Sequence, residues 1–109
     1  MNNFVVLKTS AEMNLENSRT LKSESRGKYR KAENRILLVE DNIIIASIQT
    51  KSLNKVGHTV IHVSSGEDAV QFCSENRDKI DLILMDIDLG NGIDGTEAAE
   101  IILEEHNIY

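Results

Sequence analysis

Two short runs of the chain are continuously apolar, and acidic residues follow each of them directly. Residues 36–39 are followed by Glu40 and Asp41, and residues 82–85 are followed by Asp86. A run without polar alternation is typical of a parallel-sheet strand that is covered on both faces. Such sheets place their chemistry at the carboxyl ends of their strands. The pattern therefore predicts two buried strands that display carboxylates at their ends.

Helical patterns follow the first strand and separate it from the next. Asn42 is predicted to cap a helix that runs to about Val56. The predicted buried face of this helix carries Ile45, Ile48, Leu53 and Val56. Residues at these spacings share one broad side of a helix.

The remaining pattern alternates strands and helices. Residues 59–63 are predicted as a strand, and Ser65 as the cap of a helix that runs to about Arg77. A further helix is predicted over residues 96–106, after the strand at 82–85. The order strand–helix–strand–helix–strand–helix implies right-handed crossovers and therefore an α/β fold with a parallel sheet.

The first 34 residues differ from the rest in pattern and charge. Residues 1–34 show no sustained period and are predicted to be a flexible basic linker or tail. Residues 1–35 carry a net charge of +4, and residues 36–109 carry −10. An acidic domain is not expected to bind nucleic acid through its folded surface, whereas a cation is a natural partner. No apolar run is long enough for a membrane span, and the single cysteine, Cys73, fits a reducing compartment, so the cytoplasm is expected.

The carboxylates at the strand ends are the candidate chemistry. If the two strands are neighbours, Glu40, Asp41 and Asp86 converge at one sheet edge, where like charges raise one another's pKa or recruit a cation. Hard oxygen ligands favour Mg²⁺, and Asp86 would be a nucleophile that forms an acyl phosphate. The alternative is that these side chains are solvated strand ends without a ligand.

Four segments together resemble a known family. ILLVEDN at 36–42 and DLILMDI at 81–87 look like the receiver domain of two-component response regulators, as do SGEDA at 65–69 and DGTE at 94–97. The resemblance runs from Arg35 to the end of the chain. It implies a three-layer, doubly wound parallel sheet with strand order 2-1-3-4-5, and a signalling domain rather than an enzyme.

The resemblance also implies a role for each site residue. Asp41 would bind Mg²⁺ directly, and Glu40 would help through water. Asp86 would accept a phosphoryl group from a histidine kinase or phosphotransfer protein of a phosphorelay. Asp88 would offer its backbone carbonyl to the metal.

The pattern departs from the family after the third helix. The fourth and fifth strands have no counterpart, so residues 35–109 are expected to be a truncated receiver. The strand at 82–85 is then expected to be an exposed edge that is open to association between chains. One alternative function is a non-signalling fragment that only binds a partner or is a remnant. A weaker one is a haloacid dehalogenase-type phosphatase fragment, with Asp86 as nucleophile and Asp88 as acid/base, although Gly90 stands where that motif expects Thr or Val.

Overall fold

A computed structural model describes residues 3–8 and 34–106 of the chain, and the structural statements below concern these two ranges. They contain four strands and three α-helices. In chain order the elements are β1 (Phe4–Lys8), β2 (Arg35–Val39), α1 (Ile43–Lys55), β3 (Thr59–Val63), α2 (Gly66–Glu75), a 3₁₀ turn (Arg77–Lys79), β4 (Leu82–Asp86) and α3 (Gly95–His106). None of the described helices has the length and apolar character that crossing a membrane requires.

The four strands form one sheet in the order β1-β4-β2-β3. The central strand β2 is parallel to both of its neighbours, so that Leu38 is paired with His62 on β3 and with Leu84 on β4. The three predicted strands therefore have the order 2-1-3 that the receiver resemblance implies. The predicted α/β fold is confirmed.

The pairing of β1 corrects the expectation of an exposed edge at β4. β1 runs antiparallel to β4, with Val6 opposite Leu84, so the sheet is mixed rather than wholly parallel. The open edge of β4 presents unpaired N–H and C=O groups, and an apolar segment of the same chain satisfies them. Phe4–Lys8 is therefore a strand and not part of a linker, as had been predicted for residues 1–34. Residues 1–2 and 9–33 of that segment lie outside the described residues.

The main core lies between one face of the sheet and the helices α2 and α3. Its buried members are Leu37, Val39, Ala69, Cys73, Ile80, Ile83, Met85, Leu89, Ala98 and Ile102. Val5 and Leu7 of β1 are partly buried and pack against this cluster. The N-terminal strand thus contributes to the same core as the parallel strands.

Helix α1 covers the other face of the sheet at β2 and β3, and its orientation differs from the prediction. Ile48 is 60% exposed and Val56 is 45% exposed, although both were expected on the buried face. Ala46 is buried instead, whereas Ile45 and Leu53 are partly buried, as predicted, together with Gln49. Ala46, Gln49 and Leu53 follow an i, i+3, i+7 spacing, so the helix face towards the sheet includes a small and a polar residue beside a leucine.

An ion pair joins the starts of β2 and β4, at the end of these strands opposite to Glu40, Asp41 and Asp86. Arg35 Nη2 donates to Asp81 Oδ1 at 2.8 Å, and the Arg35 Nε and backbone N–H both donate to Asp81 Oδ2. The guanidinium of Arg35 holds the pKa of Asp81 below its usual value, with burial opposing it. This contact belongs to the same parallel register that brings the opposite ends of the two strands together.

Candidate functional site

Three carboxylates meet where β2 and β4 end. One oxygen each from Glu40, Asp41 and Asp86 can be chosen so that all lie within 4.8 Å of one another. Val39 is paired with Met85 in the parallel register, and therefore the residues that follow β2 lie beside the last residue of β4. The structure thus brings together the three side chains that the strand pattern predicted would converge.

Glu40 is the most enclosed of the three. It is 1% exposed, its Oε2 accepts the N–H of Asn42 at 3.1 Å, and its Oε1 has no hydrogen-bond partner among the described residues. Burial raises the pKa of Glu40; the Asn42 N–H opposes this, and the charges of Asp86 and Asp41 add to it. A buried carboxylate oxygen without a donor is costly, and a cation would satisfy it.

Asp86 and Asp41 differ in exposure. Asp86 is 6% exposed, and its Oδ1 accepts the backbone N–H of Asp88 at 3.0 Å, which orients the carboxylate. Asp41 is exposed, at the start of the turn that leads into α1. Asp88 is also exposed, and its side chain is not one of the three clustered carboxylates. The site therefore has an enclosed side formed by Glu40 and Asp86 and an open side at Asp41.

The N-cap of α1 is Asn42, which directly follows Asp41 in the chain. The side chain of Asn42 accepts hydrogen bonds from the N–H groups of Ile44 and Ile45, both at 3.0 Å. This is the predicted N-cap, and it satisfies two of the free donors at the start of the helix. The turn between β2 and α1 is therefore short, and it holds Glu40 and Asp41 at the sheet edge.

Two glycines allow the loop after β4 to return to the site. A Cβ at Gly95 would overlap the backbone carbonyl oxygen of Asp86 and lie 2.7 Å from the Cα of Ile87. Because it has no Cβ, Gly95 lies against the backbone of Asp86 and Ile87, and its N–H donates to the carbonyl of Ile87 at 2.8 Å. Gly90 has φ +78°, and a Cβ there would lie 2.8 Å from Asp41 Oδ2. The loop between β4 and α3 consequently borders the acidic cluster.

Sequence reasoning missed two contacts around the site. The ring Nε2 of His62 donates to the backbone carbonyl of Glu40 at 2.8 Å. The carboxylate of Glu67, in the first turn of α2, accepts the N–H of Ile93 in the loop after β4 at 3.0 Å. The first contact depends on the register of β2 and β3, and the second on the packing of α2 against the loop. The motif SGEDA marks the start of α2 but not this contact.

The donor set fits Mg²⁺. All three clustered side chains offer carboxylate oxygens, and these hard ligands are the ones that Mg²⁺ prefers. The unpartnered Oε1 of Glu40 is a further observation that favours a cation at this position. Chemically, such a cluster can hold a cation beside an oriented aspartate.

Known proteins similar to this chain include transcriptional regulators and a receiver domain. The chain is 34% identical over 74 residues to the uncharacterized transcriptional regulatory protein YrkP of Bacillus subtilis, a match that covers 68% of this chain and 30% of that protein. It is 40% identical over 67 residues to the transcriptional regulatory protein AfsQ1 of Streptomyces coelicolor, a match that covers 62% of this chain and 28% of that protein. The chain thus spans less than a third of either regulator's length.

A solved structure and a family profile agree with these relatives. The signal receiver domain of a protein assigned as a Luxo repressor from Vibrio parahaemolyticus superposes with a TM-score of 0.59 at 28% identity, covering 71% of this chain and 56% of that one. The profile described as "Response regulator receiver domain" matches residues 36–108, which is more than half of the chain. The matched range contains the three parallel strands, except for Arg35 at the start of β2, and all three clustered carboxylates. The chain belongs to the family of response regulator receiver domains, which are domains of two-component signalling.

Proposed function

We propose that this receiver domain accepts a phosphoryl group on Asp86 from a phosphohistidine of a histidine kinase or phosphotransfer protein, and that it requires Mg²⁺ to do so. The observation that carries the proposal is the meeting of Glu40, Asp41 and Asp86 within 4.8 Å, with a buried and unpartnered oxygen on Glu40. A chance group of surface acids would be solvated and would not leave a carboxylate oxygen buried without a donor.

Asp86 is the nucleophile in this proposal. Its Oδ1 is held by the N–H of Asp88, so its Oδ2 would form the new bond to phosphorus. The P–N bond to the donor imidazole breaks as the P–O bond forms, and the electron pair of the P–N bond returns to the imidazole nitrogen. The product is an aspartyl phosphate, the covalent species that an aspartate nucleophile forms with a phosphoryl group.

The other acidic residues prepare the position for the cation. Asp41, on the open side of the cluster, would bind Mg²⁺ directly, and Glu40 would act through water. Asp86 and the backbone carbonyl of Asp88 complete the proposed ligand set. When bound, Mg²⁺ supplies positive charge that offsets the carboxylates and the oxygens of the phosphoryl group.

The geometry favours this function over the phosphatase alternative. A haloacid dehalogenase-type site would use Asp86 and Asp88 and would give no role to Glu40 and Asp41. In the structure Glu40 and Asp41 lie beside Asp86, and the side chain of Asp88 is exposed outside the cluster. The arrangement therefore supports a receiver-type site in which the backbone of Asp88 takes part.

Labelling with a small acyl-phosphate donor tests the proposal. The full chain is incubated with Mg²⁺ and acetyl phosphate, and the intact mass is measured. We expect the gain of one phosphoryl group in the wild-type chain, none in Asp86→Asn, and none after Mg²⁺ is chelated. Circular dichroism of each sample shows that it is folded.

Asp88→Asn is the matched control. It makes the same chemical change two residues away, but the proposed contributions of Asp88 come from its backbone N–H and carbonyl. Labelling of this variant should therefore continue. A folded wild-type chain that takes no label contradicts the proposed function. If the wild-type chain is labelled but Asp88→Asn is not, the side chain of Asp88 is needed, and this contradicts the role proposed for its backbone.

A further inference from the structure

We propose that Glu67 is a positioning residue, which holds the loop between β4 and α3, residues 87–94, in the conformation that borders the acidic site. The inference rests on the proposed function, because the loop contains the backbone carbonyl of Asp88. Glu67 lies in the first turn of α2, far from Asp88 in sequence, and its side chain is exposed rather than part of the carboxylate cluster. Its role would be to act through the loop.

The carboxylate of Glu67 lies against the loop backbone. Its Oε2 accepts the N–H of Ile93 at 3.0 Å. Gly92 has φ +86°, and a Cβ at this position would lie 2.6 Å from Oε2 and 2.7 Å from Oε1 of Glu67. A glycine with positive φ therefore makes room for the carboxylate, and two successive loop residues are in contact with it.

Packing at the start of α2 supports the same contact. A Cβ at Gly66 would lie 2.7 Å from the Cγ1 of Ile93 and 3.0 Å from its backbone carbonyl oxygen. Ile93 is thus seated on the first residue of α2, next to Glu67 in the chain. The outer part of the loop is held by one hydrogen bond and one close apolar approach, both at the N-terminus of this helix.

The inner part of the same loop contacts the site. Leu89 is 2% exposed and belongs to the main core, and Gly90 approaches Asp41 Oδ2 so closely that a Cβ would lie 2.8 Å away. Asp88 donates its N–H to Asp86. Only two residues separate Gly90 from Ile93, so release of the outer contact would allow the backbone beside Asp41 and Asp86 to take several positions. A loop that carries metal ligands and samples several conformations binds a cation less tightly than a loop held in one conformation.

Asp68 offers a matched control for the charge of Glu67. Both carboxylates lie in the first turn of α2, where each interacts favourably with the helix dipole. The backbone N–H of Asp68 donates to Ser65 Oγ, and among the described residues its carboxylate makes no hydrogen bond to the loop. Substitution of either residue by alanine therefore removes the same charge from the same helix end, but only one substitution removes the contact with Ile93.

The test compares Glu67→Ala, Glu67→Gln and Asp68→Ala in the full chain. Mg²⁺ is titrated into ¹⁵N-labelled protein, and the amide resonance of Gly90 reports binding. We expect Glu67→Ala to raise the half-saturating Mg²⁺ concentration about tenfold, at the lower end of the range for residues that orient metal ligands. Glu67→Gln keeps an oxygen acceptor and should stay close to the wild-type chain, as should Asp68→Ala. Amide hydrogen exchange of Ile93 should accelerate in Glu67→Ala alone.

Two outcomes overturn the inference. If Glu67→Ala and Asp68→Ala shift the Mg²⁺ titration equally, the effect is one of charge and not of loop position. If the wild-type chain gives no Mg²⁺-dependent shift at Gly90, there is no metal site for Glu67 to support. Failure of the proposed function is distinguishable, because a wild-type chain that binds Mg²⁺ but takes no phosphoryl group refutes phosphorylation and leaves the role of Glu67 intact.

Discussion

The N-terminal strand is predicted to stabilise the domain through its inward-facing side chains, and two substitutions to threonine test this. Leu7 is partly buried and packs against the core between the sheet and α2/α3, whereas its neighbour Val6 is 57% exposed on the opposite face. Leu7→Thr and Val6→Thr both place a β-branched residue in β1, so the strand propensity of the new residue is the same in the two variants.

The expected cost follows from the burial. Complete burial of a leucine side chain contributes about 1.5–3 kcal/mol, so the partial burial of Leu7 contributes about 1–2 kcal/mol. Replacement by threonine also brings a hydroxyl towards the core, and the total loss should be about 1–2 kcal/mol. Val6→Thr should change the free energy of unfolding by less than about 0.5 kcal/mol, because its side chain faces solvent.

Urea unfolding followed by circular dichroism measures both values. The midpoint of Leu7→Thr should fall while the slope of the transition stays unchanged, since the surface exposed on unfolding is nearly the same. On heating, its transition should occur about 4–16 °C below that of the wild-type chain. Equal stability of the two variants would contradict this prediction, because it would mean that Leu7 of β1 does not pack on the core.

Two further substitutions test the contacts that hold β2, β4 and α3 together. Asp81→Asn should lower the free energy of unfolding by about 1 kcal/mol at neutral pH, a modest value because the side chain of Arg35 is 42% exposed. Arg35 lowers the pKa of Asp81 in the folded state, so the ion pair stabilises the fold fully above the pKa that Asp81 has in the unfolded chain, and this stabilisation is lost as the pH falls through the folded-state pKa. The stabilities of the wild-type chain and Asp81→Asn, measured by urea unfolding, should therefore converge in acid. A difference that stays constant with pH would contradict the ion pair. Gly95→Ala normally gains helix stability, but here the Cβ would overlap the carbonyl of Asp86, so a loss of about 1–3 kcal/mol in thermal unfolding is expected, and a gain would contradict the close approach.

The sequence predicted those parts of the fold that depend on local pattern. The continuous apolar runs before Glu40 and Asp86 are the strands β2 and β4, and Asn42 and Ser65 cap the helices that follow β2 and β3. The convergence of the carboxylates followed from one topological rule, because parallel neighbouring strands end at the same edge. Local signals and a single rule were enough to place these groups.

The remaining features depend on contacts between distant parts of the chain. β1 is short, and its pairing with β4 joins residues more than seventy positions apart, a contact for which the sequence carries no local signal. The burial of Ala46 in place of Ile48 depends on where α1 lies over β2 and β3. The contact of Glu67 with Ile93 depends likewise on how α2 packs against the loop.

Chemical trapping of the phosphorylated residue identifies the phosphoryl acceptor. The chain is treated with Mg²⁺ and acetyl phosphate and then with borohydride, which reduces an aspartyl phosphate to homoserine, and the peptides are sequenced by mass spectrometry. We expect homoserine at position 86 and at no other aspartate, with Asp41 and Asp88 unchanged. Homoserine at another position, or its absence from a folded chain, would contradict the assignment of Asp86 as the phosphoryl acceptor.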